Sequence, residues 1–289
     1  RARCSGRRRG GRKGWGEACG GRGWGRGRQK KHVGCPRGTA AEKGGAPVPT
    51  LDFRNIATHI GKPKPSNCGV CHFFGCGGNN VKHGDLDKSM FAPTKDVDVH
   101  MAVDGANLEC IDCHKTEHHN ISGKLYTLSS MNRDRVNCED CHTAMPHKDD
   151  IINNHSHKVA CQTCHIPNYA KVNATKTHWD WSTAGKLKDG QPYEVDDKDG
   201  NYTYLSIKGT FYWGKNLQPE YAFFNGTATH YLLGDKVEDT SKALVLNELY
   251  GNYNDRNSKI IPVKVHRAVQ PYDPINKMLI QPKLYADNK

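Results

Sequence analysis

The stretch Cys110-Ile-Asp-Cys113-His114 is one of four copies of a Cys-x-x-Cys-His motif, and these copies decide the fold. Two thiols at this spacing reach the two vinyl groups on one porphyrin edge, and the adjacent histidine offers a ring nitrogen to the iron. The sequence therefore predicts four covalently bound haem c groups. The other copies are Cys68-Gly-Val-Cys71-His72, Cys138-Glu-Asp-Cys141-His142 and Cys161-Gln-Thr-Cys164-His165.

Each motif assigns two cysteines to the haem and one histidine to the iron. Zinc ribbons and disulfides are the alternative interpretations, but a zinc site needs paired Cys-x-x-Cys units and no following histidine. The predicted thioether cysteines are Cys68, Cys71, Cys110, Cys113, Cys138, Cys141, Cys161 and Cys164. The predicted proximal iron ligands are His72, His114, His142 and His165. Cys76 remains in the body of the chain, either as a redox-active thiol or as an incidental small residue.

The second axial ligand of each iron is predicted to be histidine. The chain has 16 histidines but only 5 methionines, and no methionine lies in an obvious ligand context. Two histidine ligands give an iron a lower potential than a histidine and a methionine do. The adjacent His118 and His119 can hardly both bind one iron, so one of them is expected to be structural.

The composition divides the chain into three segments. Residues 1–45 hold 14 glycines and 14 lysines or arginines but only 2 acidic residues. Such a segment cannot bury enough apolar surface to offset chain entropy, so we expect a disordered tail or an artefact of the gene model. Residues 46–165 form the predicted four-haem region. Residues 166–289 hold most of the aromatic residues, and we expect them to wrap around the haem region.

The net charge of +12 lies in the tail, because residues 46–289 carry 28 basic and 28 acidic residues. An Arg/Gly arm is an RNA-binding candidate, but nucleic acid fits poorly with an exported haem protein.

No stretch approaches the ~20 apolar residues that a membrane helix needs. No signal peptide is visible. Because covalent haem attachment is typical of exported proteins, we expect a periplasmic or extracellular protein whose start is either missing from this sequence or wrong in it.

The expected fold is mainly α-helical with much irregular structure, organised around stacked haems that supply much of the core. Short helices are expected around the motifs, over 133–142 and 154–165, and a further one over 242–249. Asp197-Lys-Asp-Gly200 separates two aromatic-rich runs and predicts a β-hairpin turn. Short β-hairpins are therefore expected in the C-terminal part.

The body resembles the octahaem tetrathionate reductase family of multihaem c-type cytochromes. The resemblance rests on the stretches NCGVCHFFGCGGNNVKHGDLD (67–87), LECIDCHKTEHHNISGK (108–124), CEDCHTAMPHK (138–148), KVACQTCHIPNYA (158–170) and KIIPVKVHRAVQPYDPINKML (259–279). Family members carry eight haems, so the chain looks like the C-terminal, four-haem half. By position, the resemblance implies these distal ligands or haem-contacting histidines: His83, His100, His119, His147, His155 and His266.

The function expected from motifs and resemblance is electron transfer through four haems with two histidine ligands each. Partners would be redox proteins or further haem modules. The resemblance places the family's unusual lysine-ligated catalytic haem in the absent half, so enzymatic activity stays open. The alternative is a reductase of tetrathionate, nitrite or hydroxylamine, which requires an open position on one iron. A remote alternative is RNA binding through the tail.

Overall fold

The computed structural model describes residues 52–74, 78–81, 85–118, 120–123 and 134–282. It contains 18% helix and 25% strand, so the prediction of a mainly α-helical fold is wrong. The physical reason is that each motif supplies only one or two helical turns, whereas the aromatic-rich C-terminal segment forms strands. The predicted tail lies outside the described residues, as do Cys76, His83 and His119.

The helices are short and lie in the first part of the described chain. The α-helices are α1 (Phe53–Thr58), α2 (Pro65–His72), α3 (Cys110–Cys113), α4 (Asp150–His155) and α5 (Cys161–His165). Short 3-10 helices span Lys88–Phe91, Cys138–Asp140 and Trp181–Thr183. Every one of the four motifs therefore lies on a helical turn.

A five-stranded sheet organises the C-terminal part, in the order β13, β3, β8, β7, β6. These strands are β3 (Thr175–Asp180), β6 (Glu194–Asp196), β7 (Tyr202–Leu205), β8 (Gly209–Gly214) and β13 (Arg267–Val269). β6 and β7 pair antiparallel across residues 197–201, which confirms the predicted hairpin turn. β13 pairs parallel with β3, so the chain returns to this sheet after a long excursion.

The remaining strands form two-stranded antiparallel pairs. They are β1 (Thr116–Glu117) with β2 (Asn120–Ile121), β4 (Leu187–Lys188) with β5 (Gln191–Pro192), β9 (Glu220–Phe224) with β12 (Lys259–Val263), β10 (Ala228–His230) with β11 (Asn247–Leu249), and β14 (Tyr272–Asp273) with β15 (Met278–Leu279). The helix predicted over 242–249 is wrong, because its last three residues form β11.

The C-terminal segment holds the fourth motif directly. Ile260 on β12 accepts hydrogen bonds from the Ala160 amide at 2.9 Å and from the Thr163 hydroxyl at 2.8 Å. The Ile260 amide donates to the Lys158 carbonyl at 2.7 Å. Helix α5 is thus fixed at its start by a strand nearly one hundred residues away along the chain.

A buried polar network joins the loop after the first motif to β3. Asn80 is 1% exposed, and its side chain donates to the Asn173 carbonyl at 2.7 Å. Thr175, which is fully buried, donates its hydroxyl to the Asn80 carbonyl at 2.7 Å. The Asn80 amide in turn donates to the Phe73 carbonyl at 3.2 Å. The segment that directly follows His72 is therefore anchored to the sheet.

Candidate haem-binding site

The residues between the cysteines explain why the motifs form helical turns. Asp112 in the second motif accepts the Glu109 amide at 2.7 Å, and Asp140 in the third accepts the Asn137 amide at 3.0 Å. Such a carboxylate satisfies an amide at the helix start that has no partner within the helix. The hydrogen bond from the Glu109 amide is the main cause that lowers the pKa of the Asp112 carboxyl. The Lys62 ammonium, whose Nζ lies 3.0 Å from Asp112 Oδ1, lowers it further.

His114 of the second motif is held in the orientation that an iron ligand needs. Its Nδ1 lies 2.9 Å from the Ser122 carbonyl oxygen. A carbonyl bond at one ring nitrogen fixes the tautomer and leaves the other nitrogen, Nε2, for the metal. Gly123 makes this approach feasible, because it has φ +80° and a Cβ there would lie 2.6 Å from His114 Nδ1.

We expect Gly123→Ala to push the His114 ring out of position. The left-handed backbone and the overlap with the ring together should lower the free energy of unfolding by about 1–3 kcal/mol. The Soret spectrum of the haem-loaded protein should change as one iron loses its normal ligation. The matched control is Gly190→Ala, because Gly190 has φ +74° but open space around a Cβ. Equal losses of stability and equal spectra in both variants would contradict the positioning role.

Cysteines of successive motifs lie near each other. Burial, followed by the nearby Cys68 thiol, raises the pKa of the Cys110 thiol to about 11. Burial, followed by the nearby Cys161 thiol, raises the pKa of the Cys138 thiol. In each of these pairs the first cysteine of one motif meets the first cysteine of the next.

The second and third motifs approach each other through their second cysteines. Burial, and then the nearby Cys141 thiol, raises the pKa of the Cys113 thiol. The four motifs therefore follow one another in space in sequence order, with cysteines of successive motifs near each other.

Two histidine pairs have the spacing of ligands on opposite sides of one metal ion. The ring centroids of His100 and His142 are 6.1 Å apart, and those of His147 and His165 are also 6.1 Å apart. Two imidazoles bound to opposite faces of one metal have centroids about 6.3 Å apart, given metal–nitrogen bonds of about 2.0 Å. The residues present thus fit an iron between each pair, with His142 and His165 each adjacent to a motif's second cysteine.

Hydrogen bonds that do not involve the imidazole ring hold the backbone of His147. The buried side chain of Asn153, on α4, accepts the His147 amide at 2.9 Å and donates to the His147 carbonyl at 2.8 Å. These two hydrogen bonds limit where the His147 ring can lie relative to His165. The sequence showed no signal for it, since an asparagine six residues after a histidine is unremarkable by itself.

The other predicted distal residues are placed differently. His155 ends α4 and is exposed, and His266 binds the Lys176 carbonyl oxygen through Nδ1 at 3.1 Å. Within the described part of the chain, neither ring faces a proximal histidine in the manner of the two pairs above. His83 and His119 lie outside the described residues. All six distal histidines therefore stay predictions, and only His100 and His147 lie opposite a proximal histidine among the described residues.

Basic residues near the first motif form a feature that the sequence did not indicate. Lys176 on β3 is 8% exposed, and burial, followed by the charges of Lys208 and Lys264, lowers its pKa to about 8. Burial likewise lowers the pKa of Lys264 to about 8. These lysines are scattered along the chain, and only the folding of the sheet brings them together.

Two comparisons found known proteins that are similar to this chain. A family model described as "Cytochrome c bacterial" matches residues 176–289. The crystal structure of octaheme cytochrome c from Shewanella oneidensis is similar with a TM-score of 0.73 and 46% sequence identity. That similarity covers 83% of this chain and 53% of the matched chain, so this chain spans about half of the matched protein's length. No curated protein gives a significant match.

The motifs, the facing histidines and these similarities support a multihaem c-type cytochrome with covalently bound haem c. Haem c supplies a one-electron redox centre when bound, and this chain's cysteines and histidines would hold and orient it. Among the described residues, no helix is long and apolar enough to cross a membrane.

Proposed function

We propose that the chain is a four-haem electron relay in which the haems follow one another in sequence order. The observation that carries the proposal is the pair of histidine rings spaced to ligate one iron each, at His100/His142 and His147/His165. An iron with two protein ligands has no open position for a substrate, and so favours electron transfer over catalysis. The proximity of cysteines from successive motifs supports short distances between neighbouring haems.

The resemblance to octahaem tetrathionate reductases supports a relay that serves an oxidoreductase. In this proposal the relay exchanges electrons with a redox protein or a further haem module in the periplasm.

The test is a measurement of haem number and iron spin state on the purified, haem-loaded chain. Intact mass should give four haems per chain, and the optical and EPR spectra should be those of low-spin ferric iron throughout. Potentiometry should resolve low potentials, as expected from two histidine ligands. A substantial high-spin fraction in the unmodified protein would overturn the relay and favour the reductase alternative.

The two histidine pairs should give different EPR signals. The ring planes of His147 and His165 differ by 22°, and those of His100 and His142 differ by 67°. Nearly parallel imidazole planes split the energies of the iron d orbitals and give a rhombic low-spin EPR spectrum. Strongly crossed planes leave these orbitals closer in energy and give a far more anisotropic spectrum. We expect removal of the third haem by Cys138→Ala/Cys141→Ala to abolish the anisotropic signal. Its persistence would contradict the His100/His142 assignment.

A further inference from the structure

Two ion pairs join an acidic residue inside one haem-attachment motif to a lysine that is tied to the neighbouring motif. Lys62 Nζ lies 3.0 Å from Asp112 Oδ1 and 3.2 Å from Asp112 Oδ2. Lys259 Nζ lies 3.8 Å from Glu139 Oε1. Asp112 lies between the cysteines of the second motif, and Glu139 lies between those of the third. Both ion pairs are partly exposed to solvent, and such pairs contribute little to the stability of a fold. A role in stability alone therefore does not account for their place inside the motifs.

Lys62 is connected to the first motif by a stiff stretch of chain. Two of the three residues that follow Lys62 are prolines, and helix α2, which carries the first motif, starts at the second of them, Pro65. Each proline fixes its own φ and restricts the residue before it to extended backbone. Lys64 has this extended conformation, and its amide donates to the Asn67 side chain at 2.9 Å. The ion pair of Lys62 with Asp112 therefore restrains the second motif relative to the first.

The backbone next to Lys259 is hydrogen-bonded to the fourth motif. The Ile260 amide donates to the Lys158 carbonyl at 2.7 Å, and the Ile260 carbonyl accepts the Thr163 hydroxyl at 2.8 Å. Thr163 lies between the cysteines of the fourth motif, as Glu139 does in the third. The ion pair of Lys259 with Glu139 therefore joins the third motif to the strand that holds the fourth.

We propose that Lys62 and Lys259 are positioning residues of the relay. Lys62 holds the second motif in place relative to the first, and Lys259 does the same for the third motif and the fourth, so that each lysine sets the spacing of two haems. Each lysine also offsets a carboxylate beside a haem-attachment cysteine. An uncompensated negative charge there would favour ferric iron and lower the potential of that haem. The inference rests on the proposed function, because it concerns haems that exchange electrons.

The experiment uses the haem-loaded full chain and the variants Lys62→Met, Lys62→Arg, Lys259→Met and Lys259→Arg. The matched control is Lys277→Met, because Lys277 Nζ lies 3.0 Å from Glu238 Oε2 in an ion pair that includes no residue of a motif. Redox titration followed by optical spectroscopy gives the haem potentials. EPR of the oxidised protein gives the magnetic coupling between neighbouring haems, which depends on their spacing. Circular dichroism confirms that each variant is folded.

We expect one haem potential to fall in Lys62→Met and a different one to fall in Lys259→Met, because each substitution leaves a carboxylate without its cation. The magnetic coupling between the two haems concerned should change as well. The arginine variants should restore both properties, and Lys277→Met should change neither. Unchanged potentials and coupling, the same changes in Lys277→Met, or changes that arginine does not restore would overturn the proposal.

A double variant separates the positioning role from the effect of charge. Lys259→Met combined with Glu139→Gln removes both charges, so the affected haem potential should return towards its value in the unmodified chain. The magnetic coupling should stay altered, because the link between the third and fourth motifs is still missing. Unaltered coupling in the double variant would overturn the positioning role. Failure of the relay itself is separate, since it appears as high-spin iron in the unmodified chain.

Discussion

Replacing both cysteines of the fourth motif, Cys161→Ala/Cys164→Ala, should leave a chain with three covalent haems. Intact mass should decrease by one haem, and the haem absorbance per chain should fall by about one quarter. The unfolding free energy should fall by several kcal/mol, because the apolar surface of one haem is no longer available to be buried. The loss should also affect β12, because α5 is hydrogen-bonded to that strand through Thr163 and Ile260.

The control for this variant is Gln162→Ala in the same helical turn. Gln162 is exposed, so its side chain can be removed without touching either thioether position. Mass spectrometry of both proteins and thermal unfolding followed by circular dichroism give the comparison. Retention of four haems by the double variant, or equal destabilisation by Gln162→Ala, would contradict the assignment of Cys161 and Cys164.

Substitution of His147→Ala should convert one low-spin iron into a high-spin iron. The His147 backbone is held by Asn153 and does not depend on the ring, so the loop should persist when the ring is removed. The altered iron should account for about one quarter of the total, and it should acquire an open axial position. The measurements are EPR at low temperature and the binding of carbon monoxide to the reduced protein.

Added imidazole should restore the low-spin spectrum of His147→Ala, because the vacated position matches a free ring. The matched control is His157→Ala, an exposed histidine on the same segment. His100→Ala should behave as His147→Ala does, but at the third haem. A fully low-spin spectrum in His147→Ala without imidazole would show that another residue is the distal ligand of the fourth haem.

The sequence predicted the parts of the site that are local in the chain. Each Cys-x-x-Cys-His motif contains its own thiols and proximal histidine, and the Asp197–Gly200 turn was recognisable from its own residues. Asp112 and Asp140 likewise act within their own helical turns. Such features depend on contacts over a few residues, which composition and spacing record directly.

Features that depend on distant contacts were not predictable to the same extent. The resemblance suggested six histidines, but only folding shows which rings face His142 and His165. The proximity of Lys264 to β3 likewise joins distant parts of the chain, because Lys264 lies between β12 and β13 and contacts Thr175 on β3. The mainly α-helical expectation failed because the motifs end their helices after one or two turns, whereas alternating aromatic residues favour strands.

The parallel pairing of β13 with β3 has a consequence for the order in which the chain matures. A polypeptide delivered from its N-terminus presents all four motifs, which end at His165, well before Arg267–Val269 emerges. The sheet that anchors the loop after the first motif lacks its outer strand until then. Non-local pairing of this kind is slow. We therefore expect the four motifs to be accessible for haem attachment before β13 pairs with β3 and completes the sheet.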